Sequence, residues 1–506
     1  MSSKRQGSAI FRILLLLFFI FILNACSPAK PVKTAVLKKT PTTYHSTIFD
    51  LKDASPASST RLADARPNII VILTDDQPPS TLAYLPTIKN ELMAKGVVFQ
   101  DGFVTTPLCC PSRASILCGQ YAHNHGVLTD KYPLGGAVKF NDKDTVSTAM
   151  KSLGYKTAYA GKYLNEYSNI KPSGYVPPGW DEWNVLLGRN NPDFNFYYDF
   201  TMSENGQVVK YPKSQENYST DVITKKAVDY IGRQKDSPFF LFLGYFGPHS
   251  PYISANRHKD EFRTGSQFDF IPNRPPNFNE ADVSKKPSYI QKSIIPTSAE
   301  TLDAANKQIL RSLLSVDDGV ASILNALKKT GLSQNTVILF LSDNGLTIGE
   351  HRFGIDKNCP YDECSHIPYI VYAPGYFTPR VDNEHIVANI DILPTLVDLA
   401  GGKAPGKVDG QSLLPLLENK EAVWRKSLLL EHWPDSGEDS LGVGAMIPQF
   451  SAIRTNDWKY VEFVTGEKEL YNLSSDPYEL NNLANLPAQS VTQADLAKQL
   501  PELKTK

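Results

Sequence analysis

Asn68-Ile69-Ile70-Val71-Ile72-Leu73-Thr74-Asp75-Asp76 is an apolar run of strand length that ends on two carboxylates. A run without polar alternation reads as a strand covered on both faces, the pattern of a parallel sheet held between helices. The same punctuation recurs along the chain. Lys156 to Ala160 reads as a strand delivering Gly161-Lys162, Phe239 to Tyr245 runs into Gly247-Pro248-His249, and Thr336 to Leu341 ends in Ser342-Asp343-Asn344-Gly345. Between these runs, Thr145 to Leu153 and Asp221 to Arg233 read as helices. Val316, Val320, Ile323, Leu324 and Leu327 share one helical face before a stop at Gly331, and Asp391 to Leu399 supplies a further helix. Strands alternating with helices predict an α/β fold with a mostly parallel sheet sandwiched by helices. The polar residues gather at the carboxyl ends of the strands, the edge where such sheets bind ligands.

The chain has 506 residues, and its 52 Lys and Arg against 53 Asp and Glu leave a formal net charge of −1, which gives no sign of a nucleic-acid partner. Lys4, Arg5 and Arg12 precede eleven apolar residues from Ile13 to Leu23, followed by Asn24-Ala25-Cys26. That is the pattern of a secretory signal peptide over residues 1–25, and it is short for a spanning helix. Residues 26–66, rich in Ser, Thr, Pro, Ala and Lys, read as a flexible tether. Globular structure is expected from Pro67, with a large domain over 67–404 and a smaller one over 405–486. In the smaller domain Ser451 to Val464 and Lys468 to Leu473 predict a hairpin joined near Thr465-Gly466, hence an antiparallel sheet. Residues 487–506 read as a polar tail.

The chemistry centres on residues 105–119, Thr-Thr-Pro-Leu-Cys-Cys-Pro-Ser-Arg-Ala-Ser-Ile-Leu-Cys-Gly. Cys109 followed by Pro111, with the proline able to sit at the first helical position, lies at a helix N-terminus, where free N–H groups and the dipole favour a bound anion such as a sulfate or phosphate ester. Asp75, Asp76, Asp343 and Asn344 are hard oxygen ligands suited to Ca²⁺ or Mg²⁺, with Gln77 as a further ligand or neighbour. Of the six cysteines, Cys359 and Cys364 flank Pro-Tyr-Asp-Glu and are either a small-loop disulfide or two thiols. Their spacings offer no pair of pairs for zinc.

Cys109, Pro111, Ser112 and Arg113 resemble the signature of type I sulfatases, whose first cysteine is oxidised to formylglycine by a maturation enzyme. The resemblance runs from Asn68 to Ala484 and includes Glu469-Leu470-Tyr471-Asn472-Leu473 and Asp476-Pro477-Tyr478-Glu479. It implies an alkaline-phosphatase-like fold and hydrolysis of a sulfate ester. It implies further that Asp75, Asp76, Cys109, Asp343 and Asn344 hold a Ca²⁺, with Mg²⁺ as the alternative. Arg113, Lys162 and Lys357 would hold formylglycine and the sulfate oxygens, and His249 would protonate the departing alcohol. His123, His125, His351 and His366 are given no such role. Gly161-Lys162-Tyr163-Leu164-Asn165 departs from the Gly-Lys-Trp-His-Leu of many members, and Cys118 replaces their usual threonine. Cys-Cys-Pro-Ser-Arg together with Tyr121-Ala-His-Asn-His125 is similar to the N-acetylglucosamine-6-sulfatase and endosulfatase branch, which implies a sulfated glycan substrate bearing 6-O-sulfated N-acetylglucosamine. Phosphate ester hydrolysis, or glycan binding without catalysis, are the alternatives. Leu23-Asn24-Ala25-Cys26 resembles a bacterial lipobox, implying a lipid on Cys26 and a membrane-anchored lipoprotein at the cell surface or in the periplasm; an ordinary signal peptide cut near Ala25 is the other reading. Phe194, Phe196, Tyr197, Tyr198 and Phe200 are read either as rings that stack on sugar faces or as strand packing. Residues 250–297 form a long excursion over the site's edge.

Overall fold

A computed structural model describes residues 66–170, 174–187, 196–234, 237–293, 296–434 and 447–505. The signal peptide, Cys26, nearly all of the tether and Phe194 lie outside these residues.

Ten strands form the main sheet: Asn68–Thr74 (β1), Val97–Phe99 (β2), Lys156–Gly161 (β3), Glu182–Leu186 (β4), Phe200–Glu204 (β5), Gln207–Tyr211 (β6), Phe239–Gly244 (β7), Thr336–Ser342 (β8), Tyr369–Tyr372 (β9) and Arg380–Asp382 (β10). Their spatial order is β10-β2-β9-β8-β1-β7-β3-β4-β5-β6. The centre, β8-β1-β7-β3-β4, is parallel throughout; antiparallel pairs adjoin it at β8-β9 and β4-β5, and at one edge β10 pairs parallel with β2. This is the alkaline-phosphatase-like α/β arrangement expected from the strand-and-helix alternation.

The apolar run of β1 explains its central place. All seven of its residues are buried, with alternate side chains serving opposite layers. Ile69, Val71 and Leu73 pack with Ala149 and Met150 of helix Val146–Ser152 and Leu396 of helix Ile392–Leu399. Ile70 and Ile72 pack with Ile223 of helix Ser219–Arg233 and Leu313 of helix Ala299–Thr330. The long helix ends where glycine permits it, at Gly331 with φ of 74°. The pairing register then sets the site: Ile72 lies opposite both Leu243 and Phe340, so β1, β7 and β8 end at one level.

The smaller sheet, Ser427–His432 (β11), Phe450–Thr455 (β12), Trp458–Phe463 (β13) and Lys468–Asn472 (β14), is antiparallel in sequence order. Two expectations need correction here. Ser451 to Val464 is not one strand but a hairpin turning at Asn456-Asp457, so that Thr465-Gly466 makes a second turn. Residues 487–506 are no free polar tail: Ser490–Leu503 is a helix whose Leu496, Leu500 and Leu503, at i, i+4 and i+7, are buried against the sheet. Cys359 and Cys364 are joined in a disulfide.

Leu500 is 2% exposed. Leu500→Ala should therefore cost about 2–5 kcal/mol of stability in urea unfolding, whereas Val491→Ala, at an 82% exposed position of the same helix, should change nothing measurable. Equal unfolding midpoints for the two variants would contradict the docked helix.

Candidate active site

Four parallel strands deliver their following residues to one edge. Asp75 and Asp76 leave β1, Lys162 follows β3, His249 lies five residues beyond β7, and Asp343 and Asn344 leave β8. The turn at Gly161 requires glycine, since its φ is 116° and an added Cβ would lie 1.9 Å from the Gly244 carbonyl oxygen. That close approach lets Lys162 N–H donate to the same carbonyl at 2.7 Å. Asp76 takes up the left-handed conformation with φ of 64° and donates its N–H to Asp343 Oδ1 at 3.1 Å. An L-residue there costs roughly 1–2 kcal/mol, which this hydrogen bond helps to offset.

Helix Cys109–Cys118 enters from the side with its N-terminus at the same edge. It begins two residues earlier than the proline implied: Cys109 is the first helical residue and Pro111 the third, a position whose N–H has no intrahelical partner in any case. Leu108 provides no side-chain cap, and Asp130 does that work from 20 residues away by accepting the Cys110 N–H at 2.9 Å. Cys109 Sγ lies 3.3 Å from Asp75 Oδ1, 3.8 Å from Asp76 Oδ1 and 2.8 Å from Lys357 Nζ. Cys110 instead faces the apolar core beside Ala114 and Val127.

Three buried cations meet three buried carboxylates. Lys162 Nζ is 2.6 Å from Asp75 Oδ2, Lys357 Nζ is 2.7 Å from Asp76 Oδ1, and Arg113 Nε donates to Asp343 Oδ2 at 2.7 Å. A second Arg113 nitrogen donates to the Lys162 carbonyl at 2.8 Å, and Tyr159 Oη donates to the same oxygen at 2.6 Å. Burial alone would raise the pKa of Asp75, but Lys162, His249 and Arg113 hold it below the usual carboxylate range. Asp343 is pushed the other way, to about 6, by burial and by the charge on Asp75. Burial would lower the pKa of Lys162 and Lys357, yet Asp75 raises that of Lys162 and Asp76 that of Lys357. His249 Nδ1 must donate to the Ser250 carbonyl at 2.8 Å, which leaves Nε2 facing the site, 3.7 Å from Asp76 Oδ2. Burial lowers the His249 pKa despite Asp76 and Asp75.

The acidic cluster could hold a divalent cation. Asp75, Asp76, Cys109 and His249 each offer an atom within 4.8 Å of the others. Asn344 donates through Nδ2 to Asp76 Oδ1 at 2.7 Å and to the Gly345 carbonyl, while its buried Oδ1 has no hydrogen-bond partner. An oxygen left so is costly unless a cation or proton donor meets it. Gln77 is a neighbour and not part of this set, because Thr74 and Thr81 engage its amide.

The other histidines stand apart. His123 pairs with Glu431, His125 with Ser115, His351 with Glu280 beneath Tyr361, and His366 with the Gln100 carbonyl. Tyr197 and Phe200 are buried and stack on Tyr218 and Tyr211, the strand-packing reading of that aromatic stretch. Asp130 and Tyr159, which hold the backbone of the site, carry no motif and were not singled out in the sequence; Tyr159 alone had a signal, its place in the strand ending at Gly161.

Comparison with known proteins agrees with this geometry. The sulfatase family model matches residues 67–402, and a model described as N-sulphoglucosamine sulphohydrolase, C-terminal, matches 349–506. The N-acetylglucosamine-6-sulfatase of Capra hircus is 34% identical over 459 residues, covering 83% of this chain and 80% of that protein. A putative extracellular sulfatase Sulf-1 homolog of Caenorhabditis elegans is 32% identical over 75% of this chain, which spans 53% of that longer protein. Among solved structures, one in complex with its substrate D-glucosamine-2-N,6-O-disulfate superposes with a TM-score of 0.74 at 24% identity, over 87% of this chain and 98% of that one. The match over most of the globular chain, with the signature cysteine set among carboxylates and cations, places this protein in the sulfatase family, as an enzyme of that family.

Proposed function

We propose that the protein removes sulfate from a sulfated glycan through a formylglycine derived from Cys109, with a bound Ca²⁺. The observation that carries this reading is the place of Cys109 Sγ, between Asp75, Asp76 and Lys357, while its neighbour Cys110 faces the core. Asp75, Asp76, Asp343 and Asn344, with the residue at 109, would hold the cation, which supplies Lewis-acid polarisation and lowers the pKa of an oxygen bound to it. Oxidation of Cys109 supplies the nucleophile.

The chain's own groups do the rest. Helix Cys109–Cys118 would turn the positive end of its dipole toward an anion, and Lys162 and Lys357 would bring positive charge to the sulfate oxygens as charge develops. Arg113 fixes Asp343 and the Lys162 backbone. Asp343 would take a proton from the nucleophile. His249 Nε2, protonated in the imidazolium form, would give its proton to the departing alcohol, while the Ser250 carbonyl fixes the ring through Nδ1. Among the described residues only one carboxylate-bearing cluster has the spacing to hold a metal, which favours this reading over a two-metal phosphatase.

We further assign the substrate as 6-O-sulfated N-acetylglucosamine, whose 6-hydroxyl is the departing alcohol, in keeping with the goat relative's name and the sulfated glucosamine bound by the structural neighbour. The maturation enzyme that oxidises Cys109 is the implied protein partner, and export with a lipid on Cys26 is the implied location. No helix among the described residues is long and apolar enough to cross a membrane.

Cys109→Ala should lower turnover of an aryl sulfate at least roughly 1,000-fold, whereas Cys110→Ala should retain it; the reverse ranking would refute the assignment. Dialysis against a chelator should abolish activity, and Ca²⁺ should restore it better than Mg²⁺. Activity indifferent to chelation would exclude the metal site. For the substrate, desulfation of N-acetylglucosamine 6-sulfate should outpace that of galactose and N-acetylgalactosamine sulfates and of an aryl phosphate, and a preference for any of these would overturn the corresponding part of the reading.

A further inference from the structure

Lys357 lies on no regular element. It belongs to the segment between β8 and β9, 15 residues beyond the end of β8, yet its Nζ reaches both Asp76 and Cys109. A side chain with four rotatable bonds keeps such a place only if its backbone is fixed. We infer that the C-terminal sheet is a positioning element for Lys357, and that it grips the Lys357 segment at Asp362 and Tyr361.

The grip is made of buried charges. Lys459 on β13 is 0% exposed, and its Nζ lies 2.6 Å from Asp362 Oδ1 and 2.8 Å from Glu479 Oε1. Arg454 on β12 reaches Asp362 Oδ2 at 3.2 Å. Glu479 Oε2 accepts the Asp362 backbone N–H at 2.8 Å, so Asp362 is held by main chain and side chain together. Beside it, Tyr361 Oη donates to Glu469 Oε1 on β14 at 2.8 Å, and Tyr471 donates to the same oxygen at 2.6 Å. Burial would raise the pKa of Asp362, but Arg454 and Lys459 hold it below the usual carboxylate range, so it stays ionised.

The disulfide passes this anchorage on. Asp362 and Tyr361 lie inside the small ring closed by Cys359–Cys364, and Lys357 is two residues before it. Between them, Asn358 N–H donates to the Pro107 carbonyl at 3.0 Å, two residues before Cys109. At the other end of the ring, the Cys364 carbonyl accepts the Gly345 N–H at 2.9 Å, next to Asn344. The approach is so close that a Cβ on Gly345 would lie 2.1 Å from the Glu363 carbonyl oxygen. The ring is thus tied to the C-terminal sheet, the signature helix and the end of β8, with Lys357 leaving from its edge.

The inference rests on Lys357 as a contact to the sulfate, and the test separates the two claims through a double-mutant cycle on kcat/KM for one sulfate ester. Lys357→Ala should lose roughly 100- to 1,000-fold. Asp362→Asn keeps the shape of the side chain and removes its charge; with its fold checked by near-ultraviolet circular dichroism, it should lose roughly 10- to 100-fold. Because Asp362 acts through Lys357, the double variant should be no slower than Lys357→Ala alone. Losses that multiply, or wild-type kcat/KM in folded Asp362→Asn, overturn the positioning role. Should Asp362→Asn fail to fold, Tyr361→Phe, which removes a single hydroxyl, enters the same cycle with the same two outcomes. Wild-type turnover in Lys357→Ala would instead overturn the reading of Lys357 itself.

Discussion

A carboxylate removed from water is destabilised by several kcal/mol unless a cation meets it, and at the end of β1 two such groups are neighbours in sequence. Asp75 and Asp76, 0% and 3% exposed, exist as anions because Lys162, Lys357 and Arg113 come to them and to Asp343 from three other segments. Much of the architecture follows from satisfying that requirement. The parallel register brings three strand ends to one level, Gly161 lets Lys162 turn inward, and the signature helix places Cys109 and Arg113 on the same side.

This balance of three carboxylates against three cations also suits the chemistry of the family. A site whose carboxylates and cations balance would take up a divalent cation together with an anionic ester without leaving a large uncompensated charge. The thiol of Cys109 lies between Asp76 and Lys357, and Asn344 Oδ1 is buried without a hydrogen-bond partner. His249 stands at the margin of the cluster, with its ring fixed by its own loop and one nitrogen open.

The central sheet was legible because β1, β7 and β8 are continuous apolar runs that end on polar residues, and burial on both faces demands that pattern. The site residues were legible for the same reason, together with the resemblance of the cysteine motif to a known family. What escaped notice depends on contacts between residues far apart. The turn at Asn456-Asp457 interrupts residues 450–463 without glycine or proline, so two short strands read as one. Helix Ser490–Leu503 shows three leucines among polar residues, and only the sheet beneath them makes that spacing a buried face. Asp130 caps a helix 20 residues before it, and Asp362 is one of four charged residues that the sequence scatters over more than a hundred positions.

Cys109, and not Cys110, is the residue proposed to become the reactive group. Trypsin cleavage after Lys95 and Arg113 releases residues 96–113, which contain both cysteines. Tandem mass spectrometry of that peptide from catalytically active protein should find the first cysteine converted to an aldehyde, lighter by the exchange of H₂S for oxygen, and the second an ordinary thiol. An unmodified thiol at Cys109 in a preparation that turns over sulfate esters would contradict the account.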